Sequence, residues 1–185
     1  MSKIIVGMSG ATGVIYGVRM LKALFQCGVE THLVVTSSAI KNMLIETEYT
    51  MADLEPFACG SFQVDGMVIA PCSIKTLSAV ANSFNYNLLI RAADVNLKER
   101  RRLVLLVRET PFHEGHLDLM MKVTRMGGVI MPPVPAFYHM PKTIEDIVDQ
   151  SVGKVLDLFG IEASLFKRWG SNTKEEMKIV KNQKE

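Results

Sequence analysis

Cysteine is scarce in this chain of 185 residues: the three present, Cys27, Cys59 and Cys72, include no CxxC pair. That excludes a disulfide framework and points to free thiols in a reducing compartment. Long apolar runs are missing too, since no stretch reaches the ~18 residues that a membrane span requires. The chain start lacks the charged, then apolar, then small pattern of a secretory leader and runs straight into a strand. A cytoplasmic protein is the expectation. No charge of one sign dominates: Lys and Arg total 21, Asp and Glu 19, for a net charge of +2. Such a balance argues against a general nucleic-acid surface. The basic run Arg100-Arg101-Arg102 reads as a solvated helix end. Neither GxGxxG nor GxxxxGK[ST] occurs, so no nucleotide is named by motif alone. His113-Glu114-Gly115-His116 spaces its histidines three apart, where HExxH needs four, so no metal is expected.

What is present is a foldable composition, 48% hydrophobic and 22% charged. Ile4 to Met8 is short, apolar and β-branched, as a buried parallel strand would be. Ser9 to Gly13 supplies hydroxyls and glycines where a helix from Val14 to Phe25 should begin, and a helix N-terminus beside small residues suits an anion. The same unit recurs. Thr31–Val35 is followed by Thr36, Ser37 and Ser38 and a helix from about Ala39 to Glu46. Gly66–Ala70 is closed by Pro71-Cys72-Ser73, with Ser73 as N-cap. A helix follows over Asn87–Glu99, then a strand over Leu103–Val107 ending in Arg108-Glu109-Thr110-Pro111. His116–Met126 reads as a helix and Gly128–Met131 as a fifth strand. Pro132, Pro133 and Pro135 stiffen the next loop, and Thr143 caps a helix to about Phe159.

Strands alternating with helices predict an α/β protein in three layers, with a parallel sheet covered by helices on both faces. Residues 1–170 make one domain and 171–185 a charged, helical tail. Ligands bind beyond the carboxyl ends of such strands, where the hydroxyls, the Arg108-Glu109 pair and the Tyr138 loop collect. Arg108 beside Glu109 suits a phosphate held by a cation while a carboxylate moves a proton; a plain ion pair at a strand end is the competing account. Lys154 faces either Tyr138 or water, with water favoured. Cys72 stands at a helix start without a positioned base, so packing is its expected role.

Several motifs together resemble the UbiX-type flavin prenyltransferases. They are Gly7-Met8-Ser9-Gly10-Ala11-Thr12-Gly13, Pro71-Cys72-Ser73-Ile74-Lys75-Thr76, Arg91-Ala92-Ala93-Asp94-Val95, Leu97-Lys98-Glu99-Arg100-Arg101, Arg108-Glu109-Thr110-Pro111, Met131-Pro132-Pro133-Val134-Pro135-Ala136-Phe137-Tyr138-His139 and Arg168-Trp169-Gly170. The resemblance implies a three-layer Rossmann-like (flavoprotein) fold and a homododecamer that joins a dimethylallyl group from dimethylallyl monophosphate to reduced FMN. The first bond forms at flavin N5 with loss of phosphate, and a second at C6 closes a ring. Prenylated FMN then serves a partner decarboxylase. By resemblance, Gly10, Ala11 and Thr12 contact FMN, and Thr36, Ser73 and Thr76 hold its phosphate and ring. Arg108 bridges flavin and prenyl phosphate, and Glu109 is the acid–base residue. Tyr138 and Lys154 bind the prenyl phosphate with Lys98 of a neighbouring subunit. Arg91 and Glu46 match further site positions, and Trp169 lies over the site. No DDxxD occurs for magnesium, so the cationic side chains would carry the leaving charge.

Some positions depart from the family pattern. Thr12 replaces a usual serine and keeps the hydroxyl. Lys154 stands where many members have arginine and loses the bidentate fork. Cys59-Gly60-Ser61-Phe62 resembles Ser-Gly-Ser-Phe, but the stretch Tyr49 to Ala58 before it is shorter than in the family, with a break suspected at Ala58-Cys59. Two other readings stay open, an FMN-dependent decarboxylase of the cysteine-decarboxylase type and a flavin carrier without chemistry. The Arg108-Glu109 pair and the Tyr138 loop favour prenyl transfer over the former.

Overall fold

A computed structural model of the chain describes residues 2–54 and 63–166. The Cys59–Phe62 motif with its suspected break, Trp169 and the charged tail lie outside the described residues. The elements run β1 (Lys3–Met8), α1 (Val14–Gln26), β2 (Glu30–Val35), α2 (Ser37–Glu46), the short α3 (Met51–Leu54), β3 (Gly66–Cys72), α4 (Ile74–Ala81), α5 (Leu88–Lys98), β4 (Arg102–Val107), α6 (Glu114–Arg125), β5 (Val129–Ile130) and α7 (Ile144–Leu158). Every strand pair is parallel, in the order β2-β1-β3-β4-β5.

Two cores follow from strand alternation. Ile4, Val6, Met8, Val68, Ala70, Val104 and Leu106 pack with α1 and α7 on one face. Met67, Ile69, Leu103, Leu105 and Val107 pack with α4, α5 and the Val123 position of α6 on the other. A three-layer α/β fold is the result, as the alternating pattern predicts. Gly17 lets α1 lie directly on β3, for a Cβ there would stand 2.3 Å from the Ala70 carbonyl oxygen.

Three element boundaries differ from expectation. β3 runs through Pro71 to Cys72 rather than stopping at Ala70. Its register with β4 shifts between Ile69 and Cys72, and a proline is tolerated at such an irregularity because no ladder N–H is demanded of it. α2 starts at Ser37, two residues early, because Thr36 is its N-cap: Thr36 Oγ1 accepts from the Ala39 N–H at 3.2 Å. α6 begins at Glu114, capped by His113, whose Nδ1 accepts from the Gly115 N–H at 3.1 Å. The His113 and His116 rings stack 3.6 Å apart. This histidine pair therefore has a structural account as a helix start. Arg102, read as part of a solvated helix end, is the first residue of β4 and donates to the Leu158 carbonyl. No helix among the described residues is long and apolar enough to cross a membrane.

Candidate active site

The strand order reverses at β1, which has β2 on one side and β3 on the other. In open α/β sheets that crossing is where ligands bind. Here the two strand ends are laced by buried Ser9. Its N–H and Oγ–H both donate to the Pro71 carbonyl, at 3.1 and 3.0 Å. Its Oγ in turn accepts from the Ser73 N–H at 2.8 Å. Ser9 thus fixes the start of the α4 turn relative to the β1 turn.

Above this crossing lies a cleft of about 690 Å³. Gly10, Thr36 to Ser38, Ser73 and Thr76 form one wall, and Tyr86 to Leu89 at the start of α5 form another. Gly10 is required where it stands, since a Cβ would come 2.4 Å from Ser38 Cβ. Ser73 Oγ donates to Thr76 Oγ1 at 3.1 Å and accepts from the Thr76 N–H at 3.3 Å. Thr36 and Ser73 cap α2 and α4, so two helix N-termini with hydroxyls open on the same cleft. That combination favours an anion.

The α1 N-terminus behaves otherwise and corrects the first expectation. Its Gly13 and Val14 N–H groups donate to Glu46 Oε2, at 2.7 and 3.1 Å. A carboxylate from the end of α2 already answers this helix end, whereas the α2 and α4 starts open on the cleft. Gly13, at φ +90°, adopts the left-handed conformation that the turn requires.

The end of β4 sits one strand away. The Arg108 N–H donates to the Cys72 carbonyl at 2.9 Å, which places Arg108 and Glu109 beside Ser73. Arg108 is exposed. Glu109 Oε1 accepts from the Thr110 N–H at 3.0 Å. The plain Arg108–Glu109 ion pair is therefore not what the strand end is built for. Tyr138 and Lys154 are not among the residues lining this cleft; Gln150 Nε2 donates to the Tyr138 hydroxyl at 3.3 Å, and Lys154 follows one turn later on α7. Lys154 is half-exposed, 3.8 Å from Asp157, in keeping with its expected outward position. Burial pushes the Cys72 thiol far up, which suits packing and not nucleophilic attack.

Gly10, Thr36, Ser73 and Thr76 are thus brought together, with Arg108 and Glu109 beside them. Ala11 is buried in the same turn and Thr12 is exposed on it. Arg91 does not line the cleft: it is exposed and bound to Asp94 at 2.8 Å. Lys98 pairs with Glu99 at 2.8 Å, at the far end of α5 from the cleft. Sequence reasoning missed the Tyr86–Leu89 wall. Its one available signal was Asn87, an N-cap residue whose Oδ1 accepts from the Ile90 N–H at 2.9 Å.

Residues 1–156 match the family model named Flavoprotein. The flavin prenyltransferase UbiX of Thauera aromatica is 57% identical over 189 residues, covering 95% of this chain and 97% of that relative. Its namesake in Escherichia coli K12 is 50% identical over 186 residues, covering 91% and 98%. Both alignments are longer than the part of this chain that enters them, so each relative carries residues that this chain lacks. Among solved structures, AnUbiX (PadA1) in complex with FMN and dimethylallyl pyrophosphate superposes with a TM-score of 0.88 at 47% identity, covering 92% of this chain and 98% of that one. A dodecameric FMN-dependent UbiX-like decarboxylase from Escherichia coli O157:H7 gives 0.87 at 43% identity, covering 91% and 100%. The cysteine decarboxylase TvaF, at 20% identity and a TM-score of 0.62, shares the fold alone. On the family match and on relatives at least half identical over nine-tenths of its length, the chain belongs to the flavoprotein family and, within it, to the UbiX-type flavin prenyltransferases.

Proposed function

We propose that this chain transfers a dimethylallyl group from dimethylallyl monophosphate to reduced FMN, and that the prenylated FMN serves a partner decarboxylase. The observation that carries the reading is the cleft at the β1–β3 crossing, where two capped helix N-termini and the hydroxyls of Thr36, Ser73 and Thr76 converge. These groups fit a flavin phosphate, and the Gly10 turn leaves backbone where the flavin lies close. When bound, the flavin supplies N5 and C6 as the atoms to which the five-carbon unit is joined.

The chain's own residues then handle charge and protons. As the prenyl C1–O bond breaks, phosphate leaves with negative charge. Arg108, Tyr138 and Lys154, with Lys98 from a neighbouring copy, meet that charge without a metal. Glu109, at the strand end beside Arg108, protonates the departing phosphate or takes the proton released from C6. Glu46 holds the α1 start and so orients Ala11 and Thr12 toward the flavin. Arg91, turned to Asp94 in the single chain, and Trp169, outside the described residues, enter this reading by family resemblance alone. A dodecameric relative supports a closed assembly with shared sites.

The test is mass spectrometry of the flavin after anaerobic incubation of the protein with FMN, a reductant and dimethylallyl monophosphate. A five-carbon addition to FMN is expected. Bound but unmodified FMN would overturn the reading and favour a decarboxylase or carrier.

A further inference from the structure

One buried imidazole stands outside everything derived so far. His139 follows Tyr138, and both of its ring nitrogens are buried with no hydrogen-bond partner among the described residues. Buried polar groups are ordinarily satisfied, and a histidine offers two chances to be so. With neither nitrogen hydrogen-bonded among the described residues, the packing of the ring is what places His139.

The neighbours show which shape. The Tyr138 ring meets the His139 ring edge-on, 5.5 Å between centroids at 71°. On its other side the Phe166 ring approaches at 6.5 Å and 70°. Phe166 is seated on α7 where the helix has no side chain: a Cβ on Gly153 would lie 2.5 Å from Phe166 Cε1. Tyr138 is tied to the same helix one turn earlier, through Gln150. His139 is therefore the flat spacer between the Tyr138 loop and the segment that follows α7, both anchored on one face of α7. Edge-to-face aromatic contacts of this kind contribute beyond the area they bury.

We infer that His139 is a positioning residue, acting through its ring and not through its nitrogens, that locks the Tyr138 loop onto Phe166 and α7. Without the spacer, Tyr138 loses its fixed position and the segment at 161–166 loosens from α7. The lock itself is independent of the proposed reaction. Only the kinetic arm of the test rests on the placing of Tyr138 at the prenyl phosphate.

His139→Phe and His139→Gln separate ring from nitrogen. Glutamine keeps polar atoms without an aromatic plane; phenylalanine keeps the plane and removes two unsatisfied groups. Backbone hydrogen exchange is read at residues 137–140 and 161–166, with β1 and β3 as internal controls. Exchange at both segments should rise by on the order of tenfold in His139→Gln and stay at the wild-type level or below in His139→Phe. KM for dimethylallyl monophosphate should follow the same order, with FMN affinity unchanged and kcat little affected. Protection kept by His139→Gln, or lost in His139→Phe, would overturn the inference, because the nitrogens would then be what matters. Exchange that rises in His139→Gln while KM stays constant would support the lock and count instead against Tyr138 as a prenyl-phosphate ligand.

Discussion

Glu46 and Glu109 are both carboxylates at the carboxyl-end rim of the sheet, yet their surroundings assign them different work. Glu46 accepts two backbone N–H groups at the head of α1, so its charge is committed to a helix end. Glu46→Gln keeps an acceptor but removes the charge facing the helix dipole, a loss of about 0.3–1 kcal/mol. Glu46→Ala leaves both donors to water and should cost about 1 kcal/mol. Urea unfolding should therefore rank wild type above Glu46→Gln above Glu46→Ala; equal midpoints for all three would show that the cap carries no stability. Among the described residues Glu109 accepts from its neighbour's N–H, at 3.0 Å, and in the proposed reaction its carboxylate serves the substrate. Glu109→Gln should lower the rate of prenylated-flavin formation by about 10²–10⁴-fold, the usual contribution of a positioned acid–base group, while FMN still binds. Flavin titration together with the product rate checks this, and an unchanged rate removes Glu109 from the mechanism.

At the scale of elements, α7 presents Gln150 to Tyr138 and carries Lys154, so its start bears on where two residues of the proposed site stand. That start is a capping box. Asp146 Oδ2 accepts from the Lys142 and Thr143 N–H groups at 2.8 and 3.0 Å, and Thr143 Oγ1 accepts from the Asp146 N–H at 3.1 Å. The Lys142 N–H, then that of Thr143, holds the Asp146 carboxyl below its ordinary value of 3.8. A carboxyl lowered on folding stabilises fully above its unfolded value and loses that effect as pH falls through the folded one. The stability gap between wild type and Asp146→Asn should thus be open at neutral pH and narrow below pH 3.8. Urea midpoints at pH 6 and pH 3 measure it, and a gap equal at both would assign the effect to hydrogen-bond geometry alone. Caps such as Thr143 and Ser73 were legible in the sequence because an N-cap and its helix are local. So was the alternation that separates the two cores. The Glu46–Gly13 contact was not, since a carboxylate 33 positions away carries no local signal of its target. The passage of β3 through Pro71 was hidden for a related reason, for only pairing with β4 creates the irregularity that admits proline.

At the scale of the whole molecule, one chain does not complete the proposed site. Leu88, at the start of α5, lines the cleft, whereas Lys98 is the last residue of that helix. At ~1.5 Å per residue the two lie ~15 Å apart along the axis. Lys98 therefore stands toward the opposite edge of the sheet from its own Ser73 and Arg108, and any contact with a prenyl phosphate is made in another copy. A head-to-tail contact of this kind closes into a ring where its rotation allows, and a UbiX-like relative is dodecameric. Complementation tests it. Lys98→Ala and Glu109→Gln assemblies should each be inactive alone. Co-expressed in equal amounts they should form hybrids in which about a quarter of the sites pair an intact Glu109 with an intact Lys98 from the neighbour, and activity returns in that proportion. If Lys98 served its own chain, every hybrid site would lack one of the two residues and the mixture would stay inactive. Sedimentation velocity on the same samples shows whether the hybrids assemble as the wild type does, so a silent mixture of normal size places Lys98 in its own subunit, whereas an active Lys98→Ala assembly removes Lys98 from the reaction.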